Sequence, residues 1–119
     1  MVMRYWRGWT TPENAVAYER IVSEDVLPSI AAREIAGYLG AYLLRREGGE
    51  EIEFATIMKF GPLQAVKAFA GEDYETAYVP QRAREVLERF DEGPVHYHVL
   101  RDRHQTVDVS ARRSSRSGH

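Results

Sequence analysis

Residues 38–60 read YLGAYLLRREGGEEIEFATIMKF, two apolar runs separated by Gly48-Gly49. Aliphatic and aromatic side chains favour a pleated surface. Paired glycines supply the positive φ angles that a tight hairpin turn needs. The stretch therefore predicts strands over Tyr38–Arg46 and Ile52–Phe60, joined through Glu47-Gly48-Gly49-Glu50-Glu51. Folding about Gly49 sets opposite each other residues whose numbers sum to about 98. Tyr38, Gly40, Tyr42 and Leu44 then share a face with Phe54, Thr56, Met58 and Phe60. Leu39, Ala41 and Leu43 share the other face with Ala55 and Ile57. A sheet with one wet face alternates apolar and polar residues. Neither face of this hairpin is polar at its centre, so both need cover.

Outward from the hairpin, Val2 to Trp9 reads as a strand, and Thr10-Thr11-Pro12-Glu13 carries two alternative helix starts. Thr10 with Glu13 forms a capping-box pattern, and Thr11 before Pro12 forms an N-cap with proline at the first helical position. Ala15, Tyr18, Ile21, Val22, Val26, Leu27 and Ile30 recur at three- and four-residue spacing, predicting one helix over residues 12–33. Pro28 should kink or interrupt it, because proline lacks a donor and collides with the preceding turn.

After the hairpin, Gly61-Pro62 opens a second helical region with Leu63, Val66, Phe69 and Ala70 on one side. Gly71 ends or bends it. Residues 72–79 are expected to continue it, with Tyr74 and Tyr78 four apart on one face. A further helix is expected over residues 80–89, a turn at Asp91-Glu92-Gly93-Pro94, and a last strand over residues 95–101. Residues 102–119 read as a polar tail, with Thr106–Val109 a weakly signalled edge strand.

Strand, helix, hairpin, broken helix, strand is the βαββαβ order of a ferredoxin-like α+β domain, expected over residues 1–101. Its four-stranded antiparallel sheet has helices on one face only. The bare face of the hairpin predicts a homodimer with the sheets face to face, since exposed apolar patches favour association.

Composition narrows the partners. The chain has 119 residues, a net charge of −2 and no cysteine. No basic field draws nucleic acid or an anionic membrane. Disulfides, thiolate metal sites and cysteine nucleophiles are excluded. No run approaches the roughly 18 apolar residues of a membrane span, and the arginine-bearing start does not resemble a signal peptide. A cytoplasmic location is the expectation.

Arg4-x-Trp6-Arg7-Gly8-Trp9-Thr10, Val26-Leu27-Pro28-x-Ile30, Gly37-Tyr38-x-Gly40-Ala41 and His96-Tyr97 together resemble the antibiotic biosynthesis monooxygenase superfamily. The resemblance covers residues 2–100 and implies a dimeric α+β barrel with a pocket between sheet and helices in each subunit. It implies an oxidoreductase that needs no cofactor, acting on a small aromatic or polyketide-like molecule. Haem-degrading members resemble one another in a histidine on the second helical region, and no histidine lies between Pro62 and Phe90 here.

For the pocket, Gly40 and Thr56 are small residues that leave room. Arg4, Trp6, Tyr42, Tyr74 and Tyr78 are the candidate substrate-binding residues, with Phe54 and Met58 also at its rim. His96 is the candidate catalytic base, since imidazole exchanges a proton near neutral pH. Arg4 or Trp6 is suited to hydrogen-bond an oxyanion. His96 and His98 project to one face, but two ligands are too few for a metal, and nothing places a third such as His104. Two other readings use the same pocket: a ligand-binding or stress-response dimer without turnover, and an isomerase or lyase that moves a proton without oxygen.

Overall fold

The computed structural model describes residues 1–103. Its elements in chain order are strand β1 (Val2–Thr10), helix α1 (Pro12–Ile21), a π turn (Val22–Val26) and helix α2 (Leu27–Ala32), then β2 (Tyr38–Gly48), β3 (Glu51–Phe60), α3 (Leu63–Ala70), α4 (Gln81–Val86), β4 (Arg89–Phe90) and β5 (Val95–His98). The sheet runs β2-β3-β1, with the short β4 and β5 both pairing β1, and every pairing is antiparallel. This is the α+β ferredoxin-like arrangement. Thr106–Val109 and the rest of 104–119 lie outside the described residues.

Of the two helix starts, Thr11 is the one used. Its Oγ1 accepts from the Asn14 N–H at 3.3 Å, and Pro12 occupies the first turn. Such a cap contributes about 1 kcal/mol. The α-helix is interrupted just ahead of Pro28, as expected. The turn before it widens, and the Leu27 N–H donates to Val22 O, five residues back. One extra residue in the ladder accommodates a proline that clashes with the carbonyl four residues earlier.

The hairpin turn is tighter by one residue than the sequence suggests. Gly48 pairs with Glu51, leaving Gly49 and Glu50 as a two-residue loop, with Gly49 at φ +81°. That is the pattern of a type II′ turn. Pairs along β2 and β3 consequently sum to 99, as in Tyr42 with Ile57 and Leu43 with Thr56. Only Tyr38 opposite Phe60 keeps the sum of 98, because a bulge at Leu39–Gly40 absorbs one residue, with Gly40 at φ +127°. A one-residue slip exchanges the faces of a strand. Ala41 and Leu43 therefore face the helices, and Tyr42 and Leu44 face away, which corrects the face assignment for all four.

The helical face carries the core. Phe54 packs on Tyr18 of α1 with ring centroids 4.9 Å apart, and Phe60 lies between Tyr38 and Phe69 at 5.6 and 5.7 Å. Both phenylalanines are essentially inaccessible. Burying each stabilises the fold by about 2–3 kcal/mol. Gly8 on β1 leaves space that Leu87 occupies, the leucine Cδ2 standing 2.9 Å from where a glycine Cβ would be.

The second helical region departs most from expectation. Residues 72–79 are a turn and a segment without regular structure, and the helix expected over 80–89 ends at Val86. Pro80 biases Val79 toward extended backbone. Beyond Leu87 the chain is claimed by β1, whose edge β5 covers only from Val2 to Tyr5. Glu88 N–H donates to Trp9 O at 2.7 Å, and Asp91 N–H to Arg7 O at 3.0 Å. Extended backbone satisfies that open edge, as a helix could not. β5 ends at His98, short of the expected Arg101.

Among the described residues, no helix covers the opposite sheet face. Tyr42, Leu44, Val95 and Tyr97 are exposed on it. Trp9 is covered there by two guanidinium groups, Arg89 at 3.9 Å and Arg7 at 5.1 Å from its ring. Arg7 is held in turn by a forked ion pair with Asp91 at 3.0 and 3.2 Å. No helix among the described residues is long and apolar enough to cross a membrane.

Candidate functional site

A cavity of about 650 Å³ lies between the helical face of the sheet and the helices. That volume is in the range of small-molecule sites. Arg4 and Trp6 of β1 and Thr56 and Met58 of β3 form its floor. These residues fall in register, Arg4 opposite Met58 and Trp6 opposite Thr56, so one strand pair supplies the whole floor. The π turn and α2 form one wall through Val22, Asp25, Val26, Ile30 and Arg33. The widened turn before Pro28 thus shapes the ligand space directly. Phe69 at the end of α3, the segment 77–80 and Arg82 of α4 close the other side.

Arg4 is the polar feature of the floor and is 7% exposed. Its Nη1 donates to the backbone O of Tyr74 at 2.6 Å and to His96 Nε2 at 2.9 Å. The cross-strand pairing of Arg4 with His96 brings them together. Burial lowers the Arg4 pKa to about 10, which leaves it cationic at neutral pH. Arginine only donates, so Nε2 of His96 is the acceptor and the neutral ring carries its proton on Nδ1. The His96 pKa lies below its ordinary value, first through burial and second through the charge on Arg4. The Tyr74 ring meets the imidazole edge-on at 5.3 Å.

Trp6 lines the cavity with its indole fixed. Nε1 donates to Asp91 O at 2.9 Å, and the ring packs on Phe90 at 5.7 Å. That hydrogen bond occupies the only N–H of the indole, so Trp6 has no donor left for a ligand. At the opposite wall, Asp25 forms an ion pair with Arg82 that ties the π turn to α4.

Arg4, Trp6, Tyr74 and His96 form one neighbourhood, though Tyr74 and His96 stand behind Arg4 rather than on the cavity wall. Tyr78 lines the rim and is 86% exposed. It does not share a helical face with Tyr74, because segment 72–79 is not helical. Tyr42 stands apart from the cavity, on the helix-free face beneath the Lys59 ammonium at 5.0 Å. The two-residue turn carries it there by pairing it with Ile57. Thr56 and Met58 do line the cavity, whereas Phe54 packs in the core beside it. Arg33, Arg82 and Asp25 are cavity residues that sequence reasoning missed. Their only signal was position, a cation at a helix end and an acid one turn before a proline.

Neither a family model nor a curated protein matches the sequence. Solved structures do match in fold. One, from Bacillus cereus and bearing the name of an antibiotic biosynthesis monooxygenase, superposes with a TM-score of 0.61 at 10% identity, covering 90% of this chain and 98% of that one. The haem degrader MhuD of Mycobacterium tuberculosis, with two haems in its active site, gives 0.58 at 23% identity over 87% of this chain and 100% of that one. A MhuD variant with two manganese protoporphyrin IX molecules per active site gives 0.55 at 23% identity, covering 88% and 100%.

Among the described residues, haem finds no imidazole on these walls. The described histidines, His96 and His98, do not line the cavity, and Nε2 of His96 is engaged by Arg4. Among the described residues there is also no cluster of three metal-ligating side chains. The chain carries the ferredoxin-like α+β fold of the antibiotic biosynthesis monooxygenase and haem-degrader structures it superposes on.

Proposed function

We propose that this chain binds a small, flat, largely apolar molecule in the cavity and oxidises it with molecular oxygen, without a cofactor. The observation that carries the reading is a ligand-sized cavity in a monooxygenase-type fold whose floor holds one buried cation backed by a neutral imidazole. A hydroxyaromatic or polyketide-like substrate suits it. Such a substrate loses a proton, and its anion reduces oxygen. An activated CH2 becomes C=O, one oxygen atom enters the carbonyl and the other leaves as water.

Arg4 stabilises the substrate anion. His96 is the proposed base, being neutral at pH 7 and next to that cation. A proton on its Nε2 displaces Arg4 Nη1, freeing that donor to turn toward the new oxyanion. Trp6 and Tyr78 shape the space around the reacting carbon. We propose further that two subunits pair through their helix-free faces, covering Tyr42, Leu44, Val95 and Tyr97 in a cytoplasmic homodimer.

A non-catalytic binding protein is the second reading. It is favoured by one observation, that Nε2 of His96 is already occupied and set back from the cavity wall. Oxygen uptake with a panel of hydroxyaromatics separates the two. Uptake that is lost in His96→Ala supports oxidation. Ligand-induced stabilisation without uptake leaves the binder. Proton exchange at substrate carbon without uptake points to an isomerase or lyase.

A further inference from the structure

We propose that the ligand of this cavity is an apolar acid whose carboxylate docks on the free edge of the Arg4 guanidinium. The proposal rests on the cavity being the ligand site and names the class of molecule it takes.

Arg4 is more than nine-tenths buried, yet both of its protein hydrogen bonds leave from Nη1. Nε and Nη2 donate to no protein group among the described residues. Neither atom is sealed off, and Arg4 lines the cavity. These two N–H groups form the planar fork that matches the two oxygens of a carboxylate.

The charge of Arg4 is also uncompensated. No carboxylate pairs with it among the described residues, and burial is the sole cause of its lowered pKa. A buried cation with neutral partners costs free energy unless something anionic arrives. Along the rest of the wall, Asp25 is neutralised by Arg82, and Arg33 has no carboxylate partner among the described residues. The Phe69 ring ties the two free cations together, with Arg4 and Arg33 guanidinium carbons 5.4 and 5.3 Å from its centroid. The lining is otherwise mostly apolar. An anionic end on Arg4 with a hydrophobic body over Trp6 and Met58 satisfies both halves.

The test compares 2-naphthoic acid with 2-naphthamide, which has the same shape but no charge, on the full chain at pH 7 by titration calorimetry. The acid is expected to bind on the order of 10- to 100-fold more tightly, the range for a charge-assisted forked hydrogen bond. Arg4→Met should reduce acid binding to the amide level. Arg4→Lys, which keeps the charge but not the fork, should retain part of the preference. Arg33→Met should weaken acid binding only a few-fold, as its guanidinium is exposed. Equal binding of acid and amide by the native chain, or a preference that survives Arg4→Met, overturns the proposal and leaves the cavity as a neutral-ligand site. Binding of neither probe at millimolar concentration overturns both this proposal and the reading of the cavity. The native-chain comparison decides the matter even if Arg4→Met fails to fold.

Discussion

Arg4 Nη1 stands 2.9 Å from His96 Nε2, so a buried cation donates to an imidazole that stays neutral in order to accept. Protonating His96 turns that contact into cation against cation. The folded-state pKa of His96 lies below the ordinary 6.5, so the unfolded chain takes up this proton first. The contribution of His96 to stability is therefore constant above about pH 6.5 and is lost as pH falls through and below that value. His96→Gln, whose amide oxygen accepts from Arg4 without titrating, should show a smaller drop in melting temperature between pH 7.5 and pH 5. Identical drops in both proteins would remove this contact as a source of pH sensitivity.

The bulge at Leu39–Gly40 gives the second prediction. Gly40 has φ +127°, and nothing lies within 4 Å of the place a Cβ would occupy. Any cost of Gly40→Ala is therefore backbone strain alone. It should be about 1–3 kcal/mol, read as a lowered urea midpoint. Gly61→Ala is the control. Its backbone is not in the left-handed region, and its nearest neighbour is 3.8 Å away. The control should shift by no more than about 0.5 kcal/mol.

Phe54 and Leu44 separate core from interface. Phe54→Ala removes an inaccessible ring packed on Tyr18 and should cost about 3–5 kcal/mol in chemical denaturation. Leu44 lies on the helix-free face and is 45% exposed. Replacing it with Glu together with Tyr42→Glu should leave the subunit folded. Sedimentation of the native chain is expected to give a dimer, and of this double variant a monomer. A native chain that sediments as a monomer at micromolar concentration would refute the pairing of sheet faces.

The two tryptophans offer a direct probe of the cavity. Trp6 lines it, whereas Trp9 sits on the far face under Arg89 and Arg7. In Trp9→Phe, ligand binding should quench or shift the emission of the remaining Trp6. In Trp6→Phe, the same ligand should leave Trp9 emission unchanged at concentrations that saturate the site. A response confined to Trp9 would move the binding site to the other side of the sheet.

Local patterns along the chain determined the element order, and with it the fold. The spacing of Ala15, Tyr18 and Val22 makes a helix wherever it lies, and the Gly48-Gly49 hairpin forms from its own residues. Arg4, Trp6 and His96 stood out by residue type, but the β1–β5 register that sets Arg4 opposite His96 came from the structure. Tertiary structure decided the remainder. Which residues close the hairpin put Tyr42 on the far side of the sheet, since strand faces alternate with period two and Gly48-Gly49 fits either a two- or a three-residue loop. The uncovered edge of β1 drew residues 88–91 out of a helix, a demand made by a strand some 80 residues earlier. Arg33, Asp25 and Arg82 became cavity residues only when the π turn and α4 closed over the sheet. Their role depends on contacts between distant segments, which local spacing does not encode.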